Sequence, residues 1–502
     1  MGNSYRQILR SSSIIGGASL INILVGLARN KVAALLLGPS GLGLIGLLQS
    51  VMGTASAVSA LGFATVGTRQ IAEAAGREDI AGVASARRAL FWGTLLLAIA
   101  GGTLLWAMRA TVASIVLDDP SLTGVTGWLG LGVALAVASG SQSALLNGLR
   151  KLGDLARLSV GSAVLASTLG IVVLWLWGAD GIVAFVLAVP LATFVVGHWY
   201  VAKLPKSSNQ RIPFRAIAGE WRAMVRIGTA FMVAGVVATA GQLLVRTFIQ
   251  RGLGGDALGQ FQAAWMIAMT YMGFVLGAMG TDFLPRLSAS IHDHEAVNRL
   301  VNEQSEVAML LAGPVIVGMV ALAPWVVELL YSDRFGDAVA VLRWQTLGDV
   351  FKIASWPLGF IIIAAGDGIV FMLTESLTIT FFAALVWIGL PMIGVQATGA
   401  AFLGMYLLNL PVVYFLARRR TGFRWQRGVV VQLVTVAGCA VCVFLVVRWS
   451  RWVGAGFGLT LSIALTMQGL ARLGRMANIE GPIGRMAEWS HQAMLKLGLW
   501  HD

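Results

Sequence analysis

Charged side chains at Arg29, Lys31, Arg246, Arg343, Asp349, Lys352 and Glu375 interrupt runs of sequence that are otherwise apolar. An isolated charge in the middle of a membrane helix costs at least about 2.5 kcal/mol, so each needs a polar cavity, a partner or a route to a headgroup. Arg29 lies about nine residues before the glycine at Gly38, which at 1.5 Å per residue is roughly 13 Å inside a membrane boundary. Asn22 falls on the same helical face as Arg29, and Thr239 and Gln242 stand in similar relation to Arg246. Amide and hydroxyl groups ending in a guanidinium make a site for an anion, since the planar fork of donors matches phosphate oxygens. The competing reading is that both arginines snorkel to the outer headgroups. Lys31 points away from the face of Arg29, and its counterpart in the repeat described below is Phe248.

Asp349 and Lys352 are spaced to pair on one helical face, either as a structural ion pair or as a site that takes up a proton or sodium ion. Glu375 has no acid or base within one helical turn, which makes it a second proton or sodium candidate, or else a carboxyl hydrogen-bonded to a neighbouring helix. Arg343 lies near the outer end of its span, placed to snorkel or to meet a substrate anion. Asp282 and Arg286, in GTDFLPRLSA, end a span at the inner boundary, as a gate or as a solvated helix end.

The elements that position these groups are membrane helices. Of 502 residues 57% are hydrophobic and only 12% charged, with mean hydropathy +0.80, against roughly 25% charged in a soluble domain. That excludes a water-soluble protein and a tethered soluble enzyme. Fourteen apolar runs read as spans, at approximately 12–37, 42–66, 89–117, 124–147, 157–177, 180–202, 224–250, 258–281, 304–330, 338–365, 369–390, 395–417, 429–447 and 454–472. Of the 36 Lys and Arg, about 26 fall on the side of the N-terminus and about 5 on the other, which places both termini in the cytoplasm. The net charge of +13 is then met by anionic lipid, not by nucleic acid. Arg6, Arg10 and the small residues Gly26-Leu27-Ala28 resemble a signal peptide, but the same pattern recurs deep in the chain. Cys439 and Cys442 lie in one apolar run and read as buried small hydrophobes. No lysine follows a glycine, so no P-loop is present. His294-Glu295 has Asn298 where a zinc hydrolase needs its second histidine, and His292-Asp293-His294 reads as a solvated loop before a metal site. No cofactor is expected.

Two segments repeat. ARNKVAALLLGPSGLGLIGLLQS from Ala28 aligns with VRTFIQRGLGGDALGQFQAAWM from Val245, pairing Arg29 with Arg246, Gly38 with Gly254, Leu42 with Leu258 and Gly43 with Gly259. Gly178-Ala-Asp-Gly181 and Gly394-Val-Gln-Ala-Thr-Gly399 add a second match. The expected organisation is an all-α polytopic protein: an N-terminal lobe of six spans (1–205), an amphipathic cytoplasmic linker (206–226), a C-terminal lobe of six spans (227–420), two additional spans (421–473) and a cytoplasmic tail (474–502). In the linker Phe214, Ile217, Ala218, Trp221 and Val225 share one face, as in a helix lying in the membrane interface. Met486, Trp489 and Leu497 could anchor the tail. Pseudo-symmetric lobes flanking a site are a recurrent transporter architecture.

The stretch from Gly38 to Ser50, GTDFLPRLSA from Gly280, and LRWQTLGDVFKIASWPLGF from Leu342 together resemble the Wzx-type O-antigen and enterobacterial common antigen translocases. These form the polysaccharide branch of the multidrug/oligosaccharidyl-lipid/polysaccharide (MOP) superfamily, and the resemblance covers roughly residues 5 to 420. It implies a V-shaped pair of six-helix lobes with a cationic cavity. It also implies an undecaprenyl-diphosphate-linked oligosaccharide as the substrate, turned from the cytoplasmic to the periplasmic leaflet of the bacterial inner membrane. A polysaccharide polymerase and a chain-length protein are the implied partners. The chain departs from the family at Ala365-Gly366-Asp367-Gly368, where a basic residue is usual, and in its last two spans. A cation antiporter of the same superfamily would want acids facing the cavity, and a membrane polymerase or ligase would need a sizeable outer loop; the arginine stripes and the short outer loops speak against these.

Overall fold

The computed structural model describes residues 2–205 and 214–477, with side chains from Gly16 onward except at a few positions. The linker before Phe214 and the tail anchors Met486, Trp489 and Leu497 lie outside the described residues. The described residues form helices and turns, and ten helices are long and apolar enough to cross a membrane. Two of those stretches, Gly16–Ala60 and Leu152–Ala202, span 45 and 51 residues, enough for two crossings each at about 20 residues per crossing. Counted that way the ten stretches supply twelve crossings, and the 76-residue helix Phe214–Ala289 is long enough for two more, which is consistent with fourteen spans.

The chain enters through α1 (Gly2–Ala60), which breaks at Gly38, where φ is 67° and ψ is −167°. Pro39 begins the next turn, where its missing N–H costs nothing. Much later α8 (Phe214–Ala289) breaks in the same way at Gly254, with φ 85° and ψ 179°. Gly178 and Gly394, with φ 53° and 60°, form the second pair, and both pairs are 216 residues apart. The repeat expected from sequence is therefore a repeat of backbone geometry, at positions where only glycine is free of strain.

Contacts divide the chain into two compact units: Met1–Gln262 with Leu330–Arg334, and Ala263–Leu329 with Phe335–Asp502. The division falls inside the eighth expected span and not at the 206–226 linker. Its cause is a close crossing within the first unit. A Cβ on Gly43 would stand 2.7 Å from the Gly259 nitrogen, and one on Gly259 would stand 1.8 Å from the Pro39 carbonyl oxygen. Repeat-related segments thus meet backbone to backbone, which draws the chain as far as Gln262 into the first unit.

In that unit α1 is followed by a turn at Leu61 and Gly62, so the expected second span ends at Ala60 and a separate helix, α2 (Phe63–Gly76), follows. Then come α3 (Ile80–Ala107), N-capped by Asp79 through a 2.8 Å bond from the Gly82 N–H, the short α4 (Arg109–Ile115), α5 (Thr123–Gly148), α6 (Leu152–Trp177) and α7 (Ile182–Ala202). The linker helix is the start of α8 and runs without a break into the seventh span. Its Trp221 donates to the Ala89 carbonyl at 2.8 Å and Met224 is fully buried, so it is packed on α3.

The second unit holds the rest of α8, then α9 (His294–Leu330), α10 (Gly336–Ala364), α11 (Gly368–Ile393), α12 (Gln396–Thr421), α13 (Arg427–Trp449) and α14 (Arg451–Ala477). The two additional spans belong to its core: Val436, Ala440 and Val443 of α13 and Leu465 of α14 pack with Ala312, Ile316 and Val320 of α9. Helices in lipid gain nothing from leaving water, so small residues that permit close approach replace the hydrophobic drive. Gly313, Gly458 and Gly469 do so here, at contacts a Cβ would invade. Ser462 adds a 2.8 Å bond to the Pro314 carbonyl, and Arg472 pairs with Glu306 at 3.2 Å.

Candidate functional site

Arg29, on the half of α1 before the Gly38 break, is only 9% exposed. Its guanidinium lies 4.1 Å from the centre of the Phe185 ring of α7 and donates to the Phe185 carbonyl at 3.3 Å. Nε is buried and has no hydrogen-bond partner among the described residues. Gly170 on α6 makes room for this arrangement, since a Cβ there would press on the Phe185 ring at 2.8 Å and approach Nε at 3.7 Å. No carboxylate lies within ion-pair distance of Arg29 among the described residues, so the cation is held by a π face and a carbonyl. Snorkelling does not describe it. Asn22 donates to the Ser159 hydroxyl of α6 at 2.6 Å and keeps a buried, unpartnered Oδ1. Asn22 and Arg29 thus share a face, as their spacing predicts, and that face is turned toward α6 and α7. Lys31 is half-buried on α1.

Arg246, on the corresponding half of α8, is 5% exposed. Nε donates to Oε1 of Gln262 at 3.1 Å, Nη1 to the Gln242 carbonyl at 3.3 Å, and the Phe261 ring centre is 5.6 Å away. It is therefore the main chain of Gln242 that meets the arginine. Gln262 in turn lies against Gly46, where a Cβ would fall 2.6 Å from Oε1. Gly46 and Gln262 are also 216 residues apart, so at one pair of equivalent positions one repeat contributes the amide and the other the space for it. Contacts place both arginines in the first unit, although the repeat assigns one to each lobe.

The second unit carries a different cluster. Asp349 is fully buried on α10; one carboxyl oxygen accepts a short hydrogen bond from the Tyr271 hydroxyl of α8, and the other is 3.9 Å from Nζ of Lys352. Lys352 also lies 3.7 Å from the Met269 sulfur and 5.7 and 5.8 Å from the ring centres of Phe402 and Tyr406. Glu375 is exposed on α11. One turn before Asp349, Gln345 is completely buried, and neither amide atom has a hydrogen-bond partner among the described residues. Residue spacing pointed to the Asp349–Lys352 pair. Tyr271, Gln345 and the rings of Phe402 and Tyr406 carry no such signal, because only the packing of α8, α10 and α12 brings them together.

Arg343 has a local task. Pro324 has no N–H, so the Val320 carbonyl loses its helical partner, and Nε of Arg343 supplies one at 3.2 Å. Arg286 is exposed at the end of α8, and the side chain of Asp282 lies outside the described residues. In the turn that departs from the family pattern, Asp367 pairs with Arg420. Asn298 exchanges hydrogen bonds with the Thr421 carbonyl and the Arg424 N–H, so it fastens a loop where a hydrolase would place a metal ligand.

Helical spans in pseudo-symmetric repeats, buried cations and the helix breaks at matching glycines define a multi-pass membrane protein of the transporter type. The polysaccharide biosynthesis protein family matches residues 32–340, and the chain belongs to that family. It is 22% identical over 428 residues to the lipid III flippase of Escherichia coli (strain K12), covering 82% of this chain and 100% of that one, and equally similar to the lipid III flippase of Shigella flexneri. Among solved structures it is similar to the lipid II flippase MurJ in an inward closed conformation (TM-score 0.71, 12% identity, 91% of this chain and 98% of that one). It is also similar to an inward-facing multidrug resistance MATE family transporter of the MOP superfamily (TM-score 0.65, 17% identity, 80% and 94%). The fold is shared with both of these solved structures.

Proposed function

We infer that this chain is a flippase for a lipid-linked oligosaccharide and not an enzyme. The observation that carries the reading is the buried Arg29, a cation stacked on Phe185 with Nε unfilled and no carboxylate among the described residues to neutralise it. A diphosphate, with about two negative charges near neutral pH, is a suitable anion for such donors. The hydrocarbon tail of the substrate stays in lipid, so only the headgroup needs a polar path. Kinship with proteins named lipid III flippase supports a polyprenyl-diphosphate-linked oligosaccharide, undecaprenyl in a bacterial inner membrane. In this reading both termini are cytoplasmic and the headgroup passes to the periplasmic leaflet by alternating access. Arg29, Arg246, Asn22, Gln242 and Lys31 serve the headgroup, whereas Arg343 serves the Val320 carbonyl of α9. Asp349, Lys352 and Glu375 are the groups through which a proton or sodium ion could couple, with Asp282 and Arg286 at the inner end of α8. A polymerase and a chain-length protein are the expected downstream partners.

The test follows lipid-linked oligosaccharide in spheroplasts, with a glycan-cleaving enzyme that acts only from outside. Cells lacking the chain should accumulate inaccessible substrate, and restoring it should make that substrate accessible. Arg29→Ala should remove this rescue while the protein remains folded and in the membrane. Unchanged accessibility with altered polymer length would place the activity after translocation and overturn the reading.

A further inference from the structure

A groove of about 530 Å³ opens on the first unit, between the C-terminal half of α3, the start of α4 and the N-terminal half of α5, and neither Arg29 nor Arg246 lines it. It exists because α3 and α5 touch backbone to backbone: a Cβ on Gly102 would stand 2.7 Å from the Gly130 carbonyl oxygen, and one on Gly130 2.5 Å from that of Gly102. Above this floor rise the exposed side chains of Trp106, Trp128, Leu131 and Ile99. The polar atoms at the groove are few. The Thr103 hydroxyl is bonded to its own helix at Ile99 and Ala100, which leaves Arg109 as the cation of the site.

Arg109 lies 3.9 Å from the centre of the Trp106 ring and donates to the Trp106 carbonyl at 2.9 Å. The acids of the adjoining turn are engaged elsewhere, Asp118 with Arg251 at 3.4 Å and Asp119 with the N–H and hydroxyl of Ser121. No carboxylate lies within ion-pair distance of Arg109 among the described residues. An apolar trough with tryptophan walls, ending in one positive charge that is not neutralised, is complementary to a hydrocarbon chain carrying one phosphate. We propose that this groove is a binding site for an anionic phospholipid of the surrounding bilayer, with the acyl chain against Gly102, Gly127 and Gly130 and the phosphate on Arg109. A glycan headgroup is a poorer match, because its hydroxyls would find almost no hydrogen-bonding atoms here. The proposal needs only that the chain spans a membrane, and it stands whether or not the flippase reading does.

The test uses the full chain in phosphatidylcholine nanodiscs containing a minor fraction of lipid brominated on its acyl chain, as either phosphatidylglycerol or phosphatidylcholine. Quenching of Trp128 is taken as the difference between the wild type and Trp128→Phe. Half-maximal quenching should need about fivefold less brominated phosphatidylglycerol than brominated phosphatidylcholine. Arg109→Gln should abolish that preference. Gly124→Leu, at a groove position where a Cβ meets nothing within 4 Å, should reduce quenching by both lipids. Equal half-points for the two lipids in the wild type, or a preference that survives Arg109→Gln, would overturn the proposal.

Discussion

Three cations among the described residues, the buried Arg29 and Arg246 and the half-buried Arg343, are each held by a different local device, and each device can be tested separately. Arg29 rests on a ring and a carbonyl, so Arg29→Lys should fail to restore transport: a lysine keeps the charge but loses the flat stacking surface and the fork of donors. The accessibility assay reads this directly. Arg246 depends on the Gln262 amide, and Gln262→Leu leaves a buried donor unmatched, which costs about 1–3 kcal/mol. That loss should appear as a lower melting temperature in detergent. Arg343 bonds the carbonyl that Pro324 leaves without a helical donor, so Arg343→Leu should destabilise the protein, and adding Pro324→Ala should recover much of the loss. Additive losses in the double variant would show that the Val320 carbonyl is not what Arg343 serves.

Between elements, polar clasps and glycine crossings do the joining that the hydrophobic effect does in water. Asn298 and Asn302, one turn apart on α9, hold the loop between α12 and α13: Asn302 donates to the Arg424 carbonyl at 3.0 Å and accepts from the Gln426 N–H at 2.8 Å. Asn302→Ala should cost about 2 kcal/mol and make residues 421–426 the first site of proteolysis, measured by limited digestion. The crossing at Gly43 and Gly259 tolerates no side chain, because the opposing atoms are backbone and cannot swing away. Gly259→Ala should therefore lower the yield of folded protein far more than Gly53→Ala on α1, where a Cβ meets nothing within 4 Å.

The molecule as a whole is built from two units whose boundary lies inside α8, and the spans beyond the two repeats are part of the second unit's core. Truncation after residue 420 would expose the faces of α9 and α10 that Val429, Val436, Ala440 and Val443 cover. Such a chain should aggregate on extraction and elute from a sizing column without a monodisperse peak. A well-behaved, transport-competent truncation would mean that α13 and α14 are dispensable additions.

The sequence by itself determined the membrane architecture, the repeat and the presence of buried charge, because these follow from composition and from spacing along one chain. A run of apolar residues is a span wherever it packs, and the glycines 216 residues apart adopt one backbone form because no other residue adopts it freely. Helical spacing likewise sufficed to pair Asp349 with Lys352 and to put Asn22 on the face of Arg29. What surrounds those charges was decided by tertiary structure alone. Phe185 lies 156 residues from Arg29, and Tyr271 lies 78 from Asp349. Nothing in a linear pattern distinguishes these two aromatic residues from others that only fill space. The course of the unit boundary was hidden for the same reason: it depends on two helices approaching at Gly43 and Gly259, and a glycine shows that close approach is possible without naming the partner.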